Sequence, residues 1–129
     1  MVILFRVLLA ALLSVVAVAQ NSSRKLKIYI SADGEGVAGA VSNEQLGPPG
    51  FEYERFRQIM TDDVNAVVAT ILGAGATEVL VGDAHGNGLN LLIEKITPDP
   101  RIRVVRGMPR PLMMMEGIDA TFDAAVFLG

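Results

Sequence analysis

Between Leu26 and Val81 the hydropathy of this chain changes period twice, and that alternation restricts the fold more than any other feature. Lys25-Leu26-Lys27-Ile28-Tyr29-Ile30-Ser31 is apolar and β-branched at its centre, which predicts a strand. Phe56, Ile59, Met60, Val64, Val67, Val68, Ile71 and Leu72 then recur at the three- and four-residue spacing of one helix face. Glu52 and Glu54 near the start of that helix suit its dipole, and Gly73 or Gly75 can terminate it. Thr77-Glu78-Val79-Leu80-Val81 returns to a strand pattern. Strand, helix, strand is a β-α-β unit, so the expected fold class is α/β with a mainly parallel sheet.

The rest of the chain extends the same architecture. Gly47-Pro48-Pro49-Gly50 can join neither helix nor ladder and predicts a loop. Leu89–Lys95 has the pattern of a short helix, ended by Pro98 and Pro100. Ile102-Arg103-Val104-Val105 is a third strand candidate, and Ala124-Ala125-Val126-Phe127-Leu128 reads as a further buried strand. Thr61-Asp62-Asp63 lies mostly off the apolar stripe and reads as a solvated face. Met113-Met114-Met115 reads as flexible core filler. A strand that closes the sequence at its carboxyl edge leads us to expect an incomplete domain, the front part of a larger α/β unit.

Residues 1–19 are expected to be a signal peptide. Arg6 supplies the positive start, Val7–Val16 the apolar stretch, and Ala17-Val18-Ala19 the small-residue cleavage site. The apolar run after Arg6 is about 13 residues, short of the ~20 that span a bilayer. Export to the periplasm or the extracellular space follows, with no other membrane association. Loss of Arg6 takes the formal charge from −3 to −4, since 10 basic residues then face 14 acidic ones. That balance, without a basic stripe, argues against nucleic acid as a partner. There is no cysteine, so neither a disulfide framework nor a thiolate metal site exists.

Chemistry concentrates in two loops that follow the first two strands. Ser31-Ala32-Asp33-Gly34-Glu35-Gly36-Val37-Ala38-Gly39 carries two carboxylates among glycines, and Val81-Gly82-Asp83-Ala84-His85-Gly86-Asn87-Gly88 carries the one histidine. Loops at the carboxyl ends of parallel strands are where ligands bind in α/β proteins. Asp33 and Glu35 are two apart, so an extended backbone would send both carboxylates to one face. Neighbouring parallel strands would bring His85 to the same crevice. One imidazole with two carboxylates suits zinc or manganese, so Asp33, Glu35 and His85 are the expected metal ligands.

Other chemistries fit less well. Gly34-Glu35-Gly36-Val37-Ala38-Gly39 has the spacing of a dinucleotide fingerprint, but no helix can open before Pro48-Pro49-Gly50. The next strand's acid, Asp83, also falls far beyond the ~20 residues expected of a ribose ligand. No serine stands in a nucleophile elbow.

Lys27–Gly39 resembles the amino terminus of the DppA-type zinc D-aminopeptidases, which open with a strand and then D-x-E-G-[IV]-x-G. Tyr53-Glu54-Arg55 with Ile59-Met60-Thr61 is similar to that family's helix, and Glu78–His85 to its second strand and histidine loop. Met115-Glu116-Gly117-Ile118-Asp119 and Ala125–Gly129 resemble later segments in the same order.

The resemblance implies a metallo-aminopeptidase acting on short peptides with an amino-terminal D-residue, and a homo-oligomeric assembly. It implies that Asp33 bridges two zinc ions while Glu35 and His85 complete one of them. It also implies that a second histidine, a glutamate and a catalytic histidine lie beyond Gly129, so no catalytic residue is assigned within the chain. The rival expectation is a non-catalytic metal-binding or assembly module using the same three ligands.

Overall fold

The computed structural model describes residues 25–129; the expected signal peptide at 1–19 lies outside the described residues. Strand β1 (Lys27–Ala32) leads through a glycine-rich loop to helix α1 (Tyr53–Gly73), which returns the chain to β2 (Glu78–Asp83). Strands β3 (Ile102–Val105) and β4 (Ala124–Leu128) complete a four-stranded sheet of order β3-β2-β1-β4. Every neighbouring pair is parallel, as the β-α-β pattern requires. No helix among the described residues is long and apolar enough to cross a membrane.

The core lies between one sheet face and α1. Ile28, Ile30 and Ala32 alternate along β1, Val79 and Val81 along β2, and Phe56, Met60, Val64 and Val68 recur every four residues on α1. These side chains are buried, and Ile59, Val67, Ile71 and Leu72 pack at their margin. The helix stops at a Schellman motif: the Gly75 N–H donates to Leu72 O (3.1 Å) and the Ala76 N–H to Ile71 O (3.2 Å). Gly75 holds φ at 101°, a left-handed conformation that glycine adopts without steric cost.

The opposite sheet face is covered by the segment between β3 and β4. Tyr29 is fully buried there, edge-on to Phe122 with ring centroids 5.8 Å apart. Its hydroxyl donates to Met114 O at 2.8 Å, and Ser31 Oγ donates to the same carbonyl at 3.2 Å. Gly82 gives the tyrosine room: a Cβ there would lie 2.6 Å from the Tyr29 hydroxyl.

Four expectations from the sequence need correction. Leu89–Lys95 is not a helix; only Ile93–Lys95 forms a short 3-10 turn. The Asn90 and Leu91 N–H groups donate to the Asp83 carboxylate and the Leu92 N–H to the Thr61 hydroxyl. Thr61 is accordingly fully buried rather than solvated, whereas Asp62 is exposed. Met113–Met115 forms a 3-10 turn at the surface instead of filling the core, with Met113 59 % and Met114 38 % exposed. Strand β4 is an edge, with Val126 and Leu128 against the core and Ala124, Ala125 and Phe127 exposed.

Candidate metal centre

Strand register builds the site. Ala32 on β1 is paired with Asp83 on β2 and with Leu128 on β4, so the following loops leave from one sheet edge. The Asp33 N–H donates to Leu128 O and the Ala84 N–H to Ala32 O, both at 2.7 Å. Past Asp33 the backbone turns instead of extending, closed by a 3.2 Å bond from the Val37 N–H to Gly34 O. That turn, not strand alternation, brings Glu35 back beside Asp33. The two carboxylates share a face as expected, but a turn rather than an extended backbone puts them there.

The three expected residues do come together. His85 Nδ1 lies 3.1 Å from Asp33 Oδ1 and 3.1 Å from Glu35 Oε2. One donor atom from each residue falls within 4.8 Å of the others. His85 Nε2 is 2.8 Å from Leu46 O, which can only accept, so Nε2 carries a proton. This leaves Nδ1 as the nitrogen facing the carboxylates. The imidazole is only 12 % exposed, and the Phe56 ring meets it edge-on at 5.7 Å between centroids. A Cβ on Gly34 would sit 2.8 Å from the imidazole and 2.9 Å from Phe56 Cζ, so this loop can pass the histidine only as glycine.

The electrostatics follow from these contacts. Burial acts to lower the His85 pKa, but the Leu46 carbonyl and the Asp33 and Glu35 carboxylates outweigh it, and the net shift is upward. Burial acts to raise Asp33, and the Gly34 N–H at 2.8 Å, hydrogen bonding with Glu35 and the histidine together hold it below its usual value. The donor set is two carboxylate oxygens and one imidazole nitrogen whose other nitrogen is tied to a carbonyl, the arrangement that fixes a ligating tautomer. These residues fit a divalent zinc-like ion.

The His85 loop has its own frame, which sequence reasoning missed. The fully buried Asp83 carboxylate accepts the Asn90 N–H (2.7 Å), the Leu91 N–H (2.8 Å) and Asn90 Nδ2 (2.8 Å). Asn90 Nδ2 also donates to His85 O at 2.6 Å, and the Tyr53 hydroxyl donates to Asn90 Oδ1 at 2.8 Å. Buried Arg110 donates from Nη2 to Asp83 O at 2.6 Å. Asp83 beside Ala84-His85 was a visible signal; nothing in the sequence marked Asn90 or Arg110. In front of Asp33, Glu35 and His85 lies a cleft of about 370 Å³, walled by Met108, Met113 and Met114.

Fold and site together define an α/β protein with a carboxylate–imidazole cluster at the carboxyl ends of parallel strands. The D-aminopeptidase family model, peptidase family M55, matches residues 26–129, and the chain belongs to that family. It is 39 % identical over 104 residues to a D-aminopeptidase of Bacillus subtilis (strain 168). That alignment covers 81 % of this chain and 37 % of the relative, so the chain spans little more than a third of its length. The solved structure of the zinc-dependent D-aminopeptidase DppA from Bacillus subtilis, described as a self-compartmentalizing protease, superposes with a TM-score of 0.77. There too the identity is 39 %, over 81 % of this chain and 37 % of that one.

Proposed function

We propose that this chain carries part of the active site of a zinc aminopeptidase that hydrolyses short peptides with an amino-terminal D-residue. Asp33, Glu35 and His85 are its metal ligands. The observation that carries the reading is the convergence of two carboxylates on His85 Nδ1 while Nε2 is held by Leu46 O. The Bacillus subtilis D-aminopeptidase, whose solved structure is described as zinc-dependent, supports zinc as the metal.

A bound zinc ion supplies Lewis-acid polarisation of a carbonyl and a lowered pKa for a coordinated water. The chain's own residues set the surroundings. Asp33 and Glu35 provide negative charge at the sheet edge, and the Leu46 carbonyl holds His85 in one tautomer. Met108, Met113 and Met114 give the cleft an apolar wall.

With one histidine, the chain has imidazole for one ion only. A two-zinc site would use Asp33 together with further ligands from outside these 129 residues, and the chain alone would then turn over peptide poorly. Assembly into a homo-oligomer and export after cleavage at Ala17-Val18-Ala19 belong to the same proposal. The domain division is likewise 1–19 as signal peptide and 20–129 as the amino-terminal part of the peptidase domain.

The test is zinc titration of the purified chain by calorimetry, beside His85→Ala, with hydrolysis of D-alanyl and L-alanyl dipeptides measured on the same samples. Saturable zinc binding lost in the variant supports the metal site. Binding unchanged by the substitution overturns it. Tight zinc binding by an extended protein that hydrolyses neither dipeptide favours the binding-module alternative.

A further inference from the structure

We propose that Asp83 and Asn90 are positioning residues that aim the His85 ring, an inference that rests on the metal-site reading above. His85 stands in a loop containing Gly86 and Gly88, both at positive φ, and one bond of the loop's own, from the Gly88 N–H to His85 O at 2.9 Å, closes it. Further restraint comes from outside the loop. Asn90 Nδ2 reaches His85 O at 2.6 Å and Asp83 Oδ1 at 2.8 Å, joining the histidine's carbonyl to the end of β2. Asp83 meets three donors with its two oxygens, the Asn90 and Leu91 backbone N–H groups and Asn90 Nδ2.

The anchoring extends to both neighbouring elements. The Tyr53 hydroxyl at the start of α1 holds Asn90 Oδ1 at 2.8 Å, and Arg57 Nε donates to Asn90 O at 3.0 Å. On the other side Arg110 Nη2 holds Asp83 O at 2.6 Å, one residue before Ala84. Asp83 and Asn90 are both within 1 % of full burial, so these bonds do not compete with water. Neither residue reaches the carboxylate cluster. They act through the His85 main chain, leaving Nδ1 directed at Asp33 and Glu35.

Outer groups that orient a ligating histidine typically change metal affinity by about 10–100-fold when removed. The experiment uses the full chain with Asn90→Ala, Asp83→Asn and the control Asn65→Ala. Asn65 also pins the 90s loop, accepting the Thr97 N–H at 2.9 Å and donating to Lys95 O at 2.8 Å, but touches neither Asn90 nor His85.

All three variants are expected to melt earlier than the parent. Zinc affinity is expected to fall about 10–100-fold in N90A and D83N and to stay within about twofold in N65A. The metal-free protein supplies a second readout. The His85 Nε2–H resonance, protected by Leu46 O, is expected to move or exchange faster in N90A and to hold in N65A. Affinity that falls with melting temperature in all three variants overturns the positioning role. So does an unmoved His85 resonance in N90A, whatever zinc does. His85→Ala without effect on zinc overturns the metal reading instead, and leaves the resonance to judge the inference.

Discussion

His85 Nδ1 and Asp33 Oδ1 are 3.1 Å apart although 52 residues separate them in sequence. Pairing of Ala32 with Asp83 makes this meeting a consequence of sheet register. A slip of one residue would reverse the faces of β2 and carry the histidine loop away from the acidic one. The burial of Val79 and Val81 against α1 forbids that slip, so the hydrophobic core fixes the chemistry at the sheet edge.

The metal-free chain is expected to show an upward-shifted His85 in its stability. The folded value lies above the ordinary 6.5, so the charged imidazole's contribution is complete below 6.5 and is lost as pH rises through the folded value. Asp33 works in the other sense. Its folded value lies below 3.8, so its contribution is present above 3.8 and is lost as pH falls through that lower value. The pair therefore stabilises most between 3.8 and 6.5. Urea denaturation of the parent and His85→Gln in chelator, at about pH 5.5 and pH 8.5, checks this. The stability gap is expected to be wider at the lower pH, and an equal gap contradicts the shift.

Gly34→Ala is expected to harm both the fold and the cluster. Its Cβ would come within 2.8 Å of the His85 ring and 2.9 Å of Phe56, and neither ring can retreat without disturbing buried neighbours. Overpacking of this kind costs about 1–3 kcal/mol. Gly73→Ala is the reference, because a Cβ there meets nothing within 4 Å and alanine favours the helix. Denaturant midpoints of the two variants are expected to move in opposite directions.

Much of this fold was legible because its signals are periodic. The stripe from Phe56 to Leu72 and the apolar strands on either side are repeated patterns, and the structure realises them as α1, β1 and β2. The expected ligands were visible because Asp33 and Glu35 stand among glycines directly after a strand, where acids contribute nothing to a core. What could not be read depended on single long-range bonds. Asp83 gathers the Asn90 and Leu91 N–H groups from across the sheet edge, and no local pattern announces such bonds. Thr61 looks polar, yet its hydroxyl satisfies one donor and one acceptor inside the core. The methionines fit a core by composition, and only tertiary placement makes them the cleft wall.

Thr61→Val tests that buried hydroxyl. The hydroxyl donates to Arg57 O at 2.7 Å and accepts the Leu92 N–H at 3.0 Å. Valine keeps the shape but leaves the Leu92 donor unpaired beside the core, which costs about 1–3 kcal/mol. Thr61→Ser keeps the hydroxyl and is expected to lose less. Asp62→Ala, one residue along on the exposed face, is expected to stay within about 0.5 kcal/mol of the parent. Similar losses for T61V and D62A in urea denaturation would show that the hydroxyl contributes nothing beyond its surroundings.

Zinc is expected to stabilise the chain by mass action and to do so through all three ligands. A ligand that binds only the folded state adds about 2.7 kcal/mol at a hundred times its dissociation constant. For a domain near 100 residues that corresponds to a rise on the order of 10 °C in melting temperature. Asp33→Asn and Glu35→Gln each remove a negative charge from the cluster, and both are expected to reduce the zinc-induced rise. D33N is expected to reduce it more, because Asp33 is half as exposed as Glu35, 33 % against 64 %, and its charge is less screened. The rise is also expected to shrink as pH falls, since protons compete with the metal for the imidazole whose pKa is raised. Differential scanning calorimetry with and without zinc at two pH values checks each step. An equal zinc-induced rise in the parent and both variants would place the ion elsewhere.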